Sequence, residues 1–314
     1  MKRTLLTTVL GLLVAHAASA AENAPFEFQI INQAAFTKAV NTNSVLKRLG
    51  TGMSFTEGPQ WFKGSGGYLV FSDIPKNQLL KWNAKEGITV FRSNSQNANG
   101  NTIDRQGRLV SAEHSGRRVS VTEKSGVIKT LVDSYEGKPL NSPNDPVVKS
   151  DGSIWFTDPD YGLVNKADKK QPGNYVYRYD PKKKTITAVA TDFDKPNGLC
   201  FSPNEKKLYV ADSGAPKHIR VFDVNKDGTL SNGQVFAKID KGAPDGIRCD
   251  TKGRIWSSAG DGVHIFEPTG ELIGKILTPE APANVGFGGS GMKTLFLTAR
   301  KSLYAIEVKA RGIK

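Results

Sequence analysis

The chain has 314 residues, with 43 Lys and Arg against 30 Asp and Glu for a formal charge of +13, and two cysteines. So few cysteines exclude a disulfide-built scaffold. The lysines are scattered and no basic run interleaves with aromatics as a nucleic-acid groove would, so no nucleic-acid partner is expected; the positive field attracts anionic surfaces or small molecules without naming one.

Residues 1–20, MKRTLLTTVLGLLVAHAASA, begin with Lys2 and Arg3, continue through an apolar stretch and end on Ala18-Ser19-Ala20. That order is the pattern of a cleaved secretory leader. Its apolar stretch is short for a membrane span, and no later one approaches the ~20 residues a span requires. The expectation is an exported, periplasmic protein, not inserted in the membrane once the leader is removed. Residues 21–314 then form one domain with a formal charge of +11.

Beyond the leader almost nothing reads as a long amphipathic helix. Short β-branched and aromatic runs alternate with Gly, Asn, Asp and Pro, the mark of an all-β chain. Six of these runs stack as a repeat: GYLVFSD (67–73), GRLVSAE (107–113), GSIWFTD (152–158), KKLYVAD (206–212), GRIWSSA (253–259) and KTLFLTA (293–299). Each is followed by a second apolar run, such as NQLLKWN or NYVYRYD. A period of about 40 to 50 residues with several short strands per unit is that of propeller blades. The fold expected is therefore all-β, a six-bladed β-propeller with four-stranded antiparallel blades. The segment SVLKRLGTG is expected to supply a strand that closes the ring with the last blade.

Eight to ten residues before each repeat lie Glu57, Asn99, Asn144, Asn197, Asp245 and Asn284. The first strand of a blade lines the central channel, so six equivalent positions converge on the axis. Turn chemistry also favours Asn and Asp, but two carboxylates and four carboxamides in register make a ring of oxygen donors. Such a set suits a hard divalent cation, and an ion there relieves the repulsion between Glu57 and Asp245. Calcium fits first, with magnesium, manganese or zinc as alternatives; zinc is disfavoured because no Cys or His stands in the ring. No G-x-S-x-G elbow or phosphate-binding glycine loop offers a rival chemistry. His114, beside Arg117 and Arg118 at a strand end, is a candidate for gripping a polar substrate at the channel mouth. His218 and His264 read as a strand residue and a packed residue.

The motifs FTEGPQW, NSPNDPVVKSDGSIWFTDPDYG, KPNGLCFSPNEKKLYVADSG and PDGIRCDTKGRIWSS, in that order, resemble the senescence marker protein/gluconolactonase/luciferin-regenerating enzyme family over essentially all of residues 21–314. The resemblance implies one catalytic divalent metal at the channel centre. It makes Glu57 and Asn197 metal ligands, Asn144 a ligand or substrate contact, and Asp245 both ligand and acid/base. Asn99 and Asn284 rest on the repeat alone, Asn99 as a substrate contact. Ser142 stands where animal members acting on sugar lactones carry Arg, and Pro146 where a smaller residue is usual; His114 and Arg118 are expected to supply the missing contact. The activity implied is opening of a sugar lactone, the metal polarising the carbonyl and Asp245 acting as general base. The alternatives are hydrolysis of another ester or a phosphotriester on the same site, or a ligand-binding propeller with a structural metal. The partner is a small-molecule lactone or ester. Cys200 and Cys249 follow their ring residues by three and four positions, which points them to opposite faces unless a bulge intervenes; two buried thiols are expected.

Overall fold

Each repeated apolar run forms the second strand of a four-stranded antiparallel sheet. These strands are Tyr68–Asp73, Leu109–Glu113, Ile154–Asp158, Lys207–Asp212, Ile255–Ala259 and Thr294–Ala299. They are buried over nearly their whole length, because a neighbouring blade covers each face; hence the runs are continuous rather than alternating. The structure, a computed structural model, describes residues 21–64 and 66–313, so the leader expected at 1–20 lies outside the described residues. Six blades arranged in a ring make a six-bladed β-propeller.

The inner strands are Thr56–Phe62, Ala98–Ile103, Pro146–Val148, Pro196–Phe201, Ile247–Cys249 and Asn284–Gly288, here assigned to blades 1 to 6 in that order. The ring closes as the sequence suggests: Lys47–Thr51 pairs antiparallel with Ser302–Glu307, Leu303 opposite Gly50, so blade 6 is completed by the start of the chain. Two further segments extend outer edges. Glu27–Ile30 adds a fifth strand to blade 5, and Glu22–Asn23 pairs with the closing strand of blade 6. Covering an edge in this way removes a surface for unwanted strand pairing.

The core consists of wedges between neighbouring blades rather than one central mass. Phe36 of the short helix Gln33–Ala39 plugs the wedge between blades 5 and 6, alongside Trp256, Val285 and Tyr304. Tyr177 and Phe156 face Val110 and Val119 between blades 2 and 3, and Leu49 of the closing strand meets Leu69 and Phe71 between blades 6 and 1. With apolar side chains committed to the wedges, the axis is left to the polar residues that open each inner strand.

Candidate active site at the propeller axis

All six ring residues stand at the same end of the inner strands. In blades 1, 2 and 4 the pairing register slips at the ring residue itself: between Glu57 and Gln60, between Ala98 and Asn101, and between Pro196 and Leu199. Bulges of this kind bend a strand and re-aim a side chain. In blades 3 and 5 the regular ladder starts after the ring residue, which keeps one bond to the second strand: Asn144 N–H donates to Thr157 O and Asp245 N–H to Ser258 O. Glycine follows four of the six, and two positions show why. A Cβ on Gly58, whose φ is +56°, would lie 2.3 Å from the Asn99 carbonyl oxygen; one on Gly246 would lie 1.9 Å from the Asn284 side chain. Neighbouring inner strands approach too closely for any side chain there. They are tied together by Gly100 N–H donating to Asn144 O and Gly198 N–H to Asp245 O.

The aspartate that ends three of the repeats holds the approach to the ring. Asp73 accepts the backbone N–H groups of Ser54 and Phe55, just before Glu57. Asp158 accepts that of Asn141, before Asn144, and Asp212 those of Asp194 and Lys195, before Asn197. Second-strand hydroxyls satisfy ring carbonyls in turn: Ser72 donates to Asn99 O, Thr157 to Asn197 O and Thr298 to Asn284 O.

At the axis Glu57 is buried, and its Oε2 accepts from Gly58 N–H at 2.8 Å and from Asn284 Nδ2 at 2.9 Å. The same Asn284 amide reaches across the ring to Asp145 Oδ2 at 3.1 Å. Asn284 Oδ1 accepts its neighbour's N–H, so this residue bridges two carboxylates and offers no free oxygen. Burial, then the charges of Asp245 and Asp145, push the Glu57 carboxyl well above the usual range. Burial and the charge of Asp145 push half-buried Asp245 up to about 7, against a hydrogen bond from Asn197. The buried amide oxygens of Asn99, Asn144 and Asn197 have no hydrogen-bond partner. Unpaired buried acceptors are costly, and three beside two crowded carboxylates are the donor set of a hard cation. Glu57, Asn144, Asn197 and Asp245 therefore fit a divalent ion.

His114 is buried with its Nε2 3.2 Å from Asn99 Nδ2, and burial lowers its pKa to about 4. It is thus a neutral ring that accepts from Asn99 Nδ2, leaving the Asn99 oxygen buried and without a protein partner. Arg118 does not join this group: its guanidinium donates to Glu113 at 2.5 Å and to Thr130 on the outermost strand at 2.9 Å. Ser142 carries no charge to the mouth. It donates to Pro159 O and accepts Gly162 N–H, pinning the loop at 159–173.

Three residues around the centre are not singled out by the repeat. Asp145 occupies the register position that glycine fills in four other blades, and its carboxylate lies on the axis between Asn284 and Arg248. Tyr161, on the pinned loop, lies under Lys195 Nζ at 5.7 Å. Burial, then the charge of Asp245, raises its hydroxyl to about 12, opposed by a hydrogen bond with Ser213. Arg300, in the turn after the second strand of blade 6, opposes the rise in Asp245 and stacks over Phe55. The Asp145 signal is visible in the ND pair; the other two depend on loops from different blades.

A second acidic group, Asp240, Asp261 and His264, also brings three ligand atoms within 4.8 Å. There the Lys275 ammonium bonds both Asp240 oxygens at 2.8 Å and Asp261 at 3.2 Å, so a cation already neutralises it. His264 is packed, as its strand position suggests. Cys200 and Cys249 are both free and buried. They share one wedge rather than opposite faces, because the slip at Asn197–Gly198 shifts Cys200 by a residue. Burial drives both thiols upward, Cys200 to about 12.

The fold and this centre define a class: six-bladed propellers with an acidic, carboxamide-rich axis. The chain belongs to the SMP-30/Gluconolactonase/LRE-like family, whose model matches residues 55–301. It is 32% identical to a gluconolactonase of Zymomonas mobilis, over 87% of this chain and 84% of that protein. A solved gluconolactonase from Xanthomonas campestris superposes with a TM-score of 0.87 at 34% identity, covering 93% of this chain and 99% of the other. Regucalcin from Agrobacterium tumefaciens, described as a calcium-binding protein, shares the fold with a TM-score of 0.71 at 22% identity, over 84% and 95% of the two chains.

Proposed function

We propose that this lactonase, a carboxylic ester hydrolase by its family and its gluconolactonase relatives, opens a sugar lactone with the help of one divalent cation, calcium first, held at the propeller axis. The observation that carries the reading is the trio of partnerless buried amide oxygens beside the Glu57 and Asp245 carboxylates. Glu57, Asn144, Asn197 and Asp245 would hold the ion, and Asn284 keeps Glu57 oriented. When bound, such an ion polarises a carbonyl and stabilises the negative charge that develops on its oxygen.

The chain's own residues do the rest. Asp245, the ring carboxylate pushed up to about 7, would take a proton from the attacking water and return it to the ring oxygen as the ester bond breaks. Asn99, steadied by neutral His114, presents its free oxygen to a substrate hydroxyl. Tyr161 on the pinned loop provides one wall of the mouth. Arg118, engaged by Glu113, is left as a positioning residue for blade 2.

The test is acid release from glucono-δ-lactone at constant pH, on chelated protein and after restoring calcium, magnesium, manganese or zinc. Metal-dependent turnover is expected, with Asp245→Asn lowering kcat by roughly 10²–10⁴-fold, the usual contribution of a general base. Turnover on aryl esters or phosphotriesters but not lactones would move the reading to those substrates. Unchanged kcat in Asp245→Asn would remove Asp245 as the base.

A further inference from the structure

Beyond Asp145, on the far side of the axis from the catalytic ring, the inner strands end in a cavity of about 450 Å³. That volume lies in the range of small-molecule sites, roughly 300–1,000 Å³. Its walls combine apolar side chains, among them Trp61, Val148, Phe201 and Phe287, with polar ones such as Gln60 and Ser202. Acids at the rim are already engaged: Asp104 by Arg108 at 2.7 Å, and Glu205 by Lys149 at 3.3 Å. Arg105, exposed at the same rim, has no acidic partner among the described residues.

At its inner end lies Arg248. One of its nitrogens donates to Ile247 O at 2.8 Å, and the same nitrogen forms an ion pair with the Asp145 carboxylate at 3.7 Å. A guanidinium carries five N–H donors in a planar fork. Arg248 lines the cavity with its side chain 19% exposed, and a carboxylate matches such a fork with two parallel, charge-assisted bonds. A partly apolar sleeve with a guanidinium at its inner end suits an amphiphile.

We propose that this cavity is a second ligand site, separate from the catalytic ring, for a small monocarboxylate with an apolar body whose head group meets Arg248. The sleeve removes the apolar body from water, while Arg248 supplies the charge requirement. A neutral molecule of the same length gains the first term and lacks the second; a short carboxylate has the reverse deficit.

The experiment is calorimetric titration of the full chain, without lactone, using octanoate, octan-1-ol and acetate as probes. Saturable binding of octanoate at one site is expected, at least tenfold tighter than either of the other probes. Val148→Trp, which fills the sleeve, should abolish it, and Ile103→Trp makes the same test from a neighbouring blade. Arg248→Met should weaken octanoate at least tenfold; should that variant not fold, for want of a countercharge to Asp145, the octan-1-ol comparison reads the charge requirement on the unaltered protein. The proposal is overturned by no saturable octanoate binding, by octan-1-ol binding as tightly, or by unchanged affinity in a folded sleeve-filling variant. With no lactone present, failure here leaves the catalytic reading untouched.

Discussion

Asn284 shows how much one side chain decides at the axis. Its two amide hydrogens serve Glu57 and Asp145, which stand on different blades. Asn284→Ala removes both donors and lets Glu57 turn; on the proposed reading, with Glu57 holding calcium, affinity for the ion should fall by about 10–100-fold, the usual effect of losing a partner behind a metal ligand, and calorimetry reads it. Protonation works on the same atoms. Asp245 holds its proton up to about pH 7 in the folded chain, whereas an unfolded Asp releases it near pH 4. Between those values the folded state binds more protons than the unfolded one, so metal-free protein should lose stability as pH rises from 4 toward 7. Glu57, Asp145 and Asp158 shift in the same direction. Since a cation needs the carboxylates ionised, calcium affinity should rise over the same interval. Melting curves on chelated protein and calcium titrations at pH 5 and 8 check both signs.

At the scale of the element, the unit that matters is a second strand ending in an acid, paired with an inner strand opening on a ring residue. Asp212 accepts three backbone N–H groups, from Asp194, Lys195 and Gly214 at 3.0, 2.8 and 3.1 Å. Asp212→Ala leaves all three without a partner and frees the segment that aims Asn197. Stability should fall by about 1–3 kcal/mol or more, the cost of unsatisfied buried donors, and calcium binding should weaken with it; urea unfolding and calorimetry measure the two. The motif YVAD is thus legible as a strand, but its acid acts across the turn on a loop 17 or 18 residues earlier.

For the whole molecule the question is what keeps six wedges in one closed ring. Closure rests on Lys47–Thr51, whose Leu49 is 7% exposed and packs among Leu69, Phe71 and Leu303. Leu49→Ala should cost about 2–5 kcal/mol, as buried leucines do, although Leu49 lies in the wedge between blades 6 and 1 and not at the axis. Thermal unfolding should show a lower Tm with calcium affinity intact at temperatures where the variant remains folded. An unchanged Tm would mean that the ring does not depend on this seam.

The sequence by itself determined the period, the six blades, the closing strand and the register that brings Glu57, Asn99, Asn144, Asn197, Asp245 and Asn284 to one end of the channel. It could do so because strand alternation and turn residues are local, and repetition converts local register into a common axis. Only the tertiary structure decided which of these residues face one another. Asp145 reaches Asn284 from a different blade, Arg248 stands behind it, and Tyr161 is brought toward Asp245 by a loop that Ser142 pins. Arg118, close to His114 in the chain, is drawn away by Glu113, and a bulge at Asn197 places Cys200 beside Cys249. Such partners are set by bulges and by contacts between distant segments, where a shift of one residue reverses the direction of a side chain.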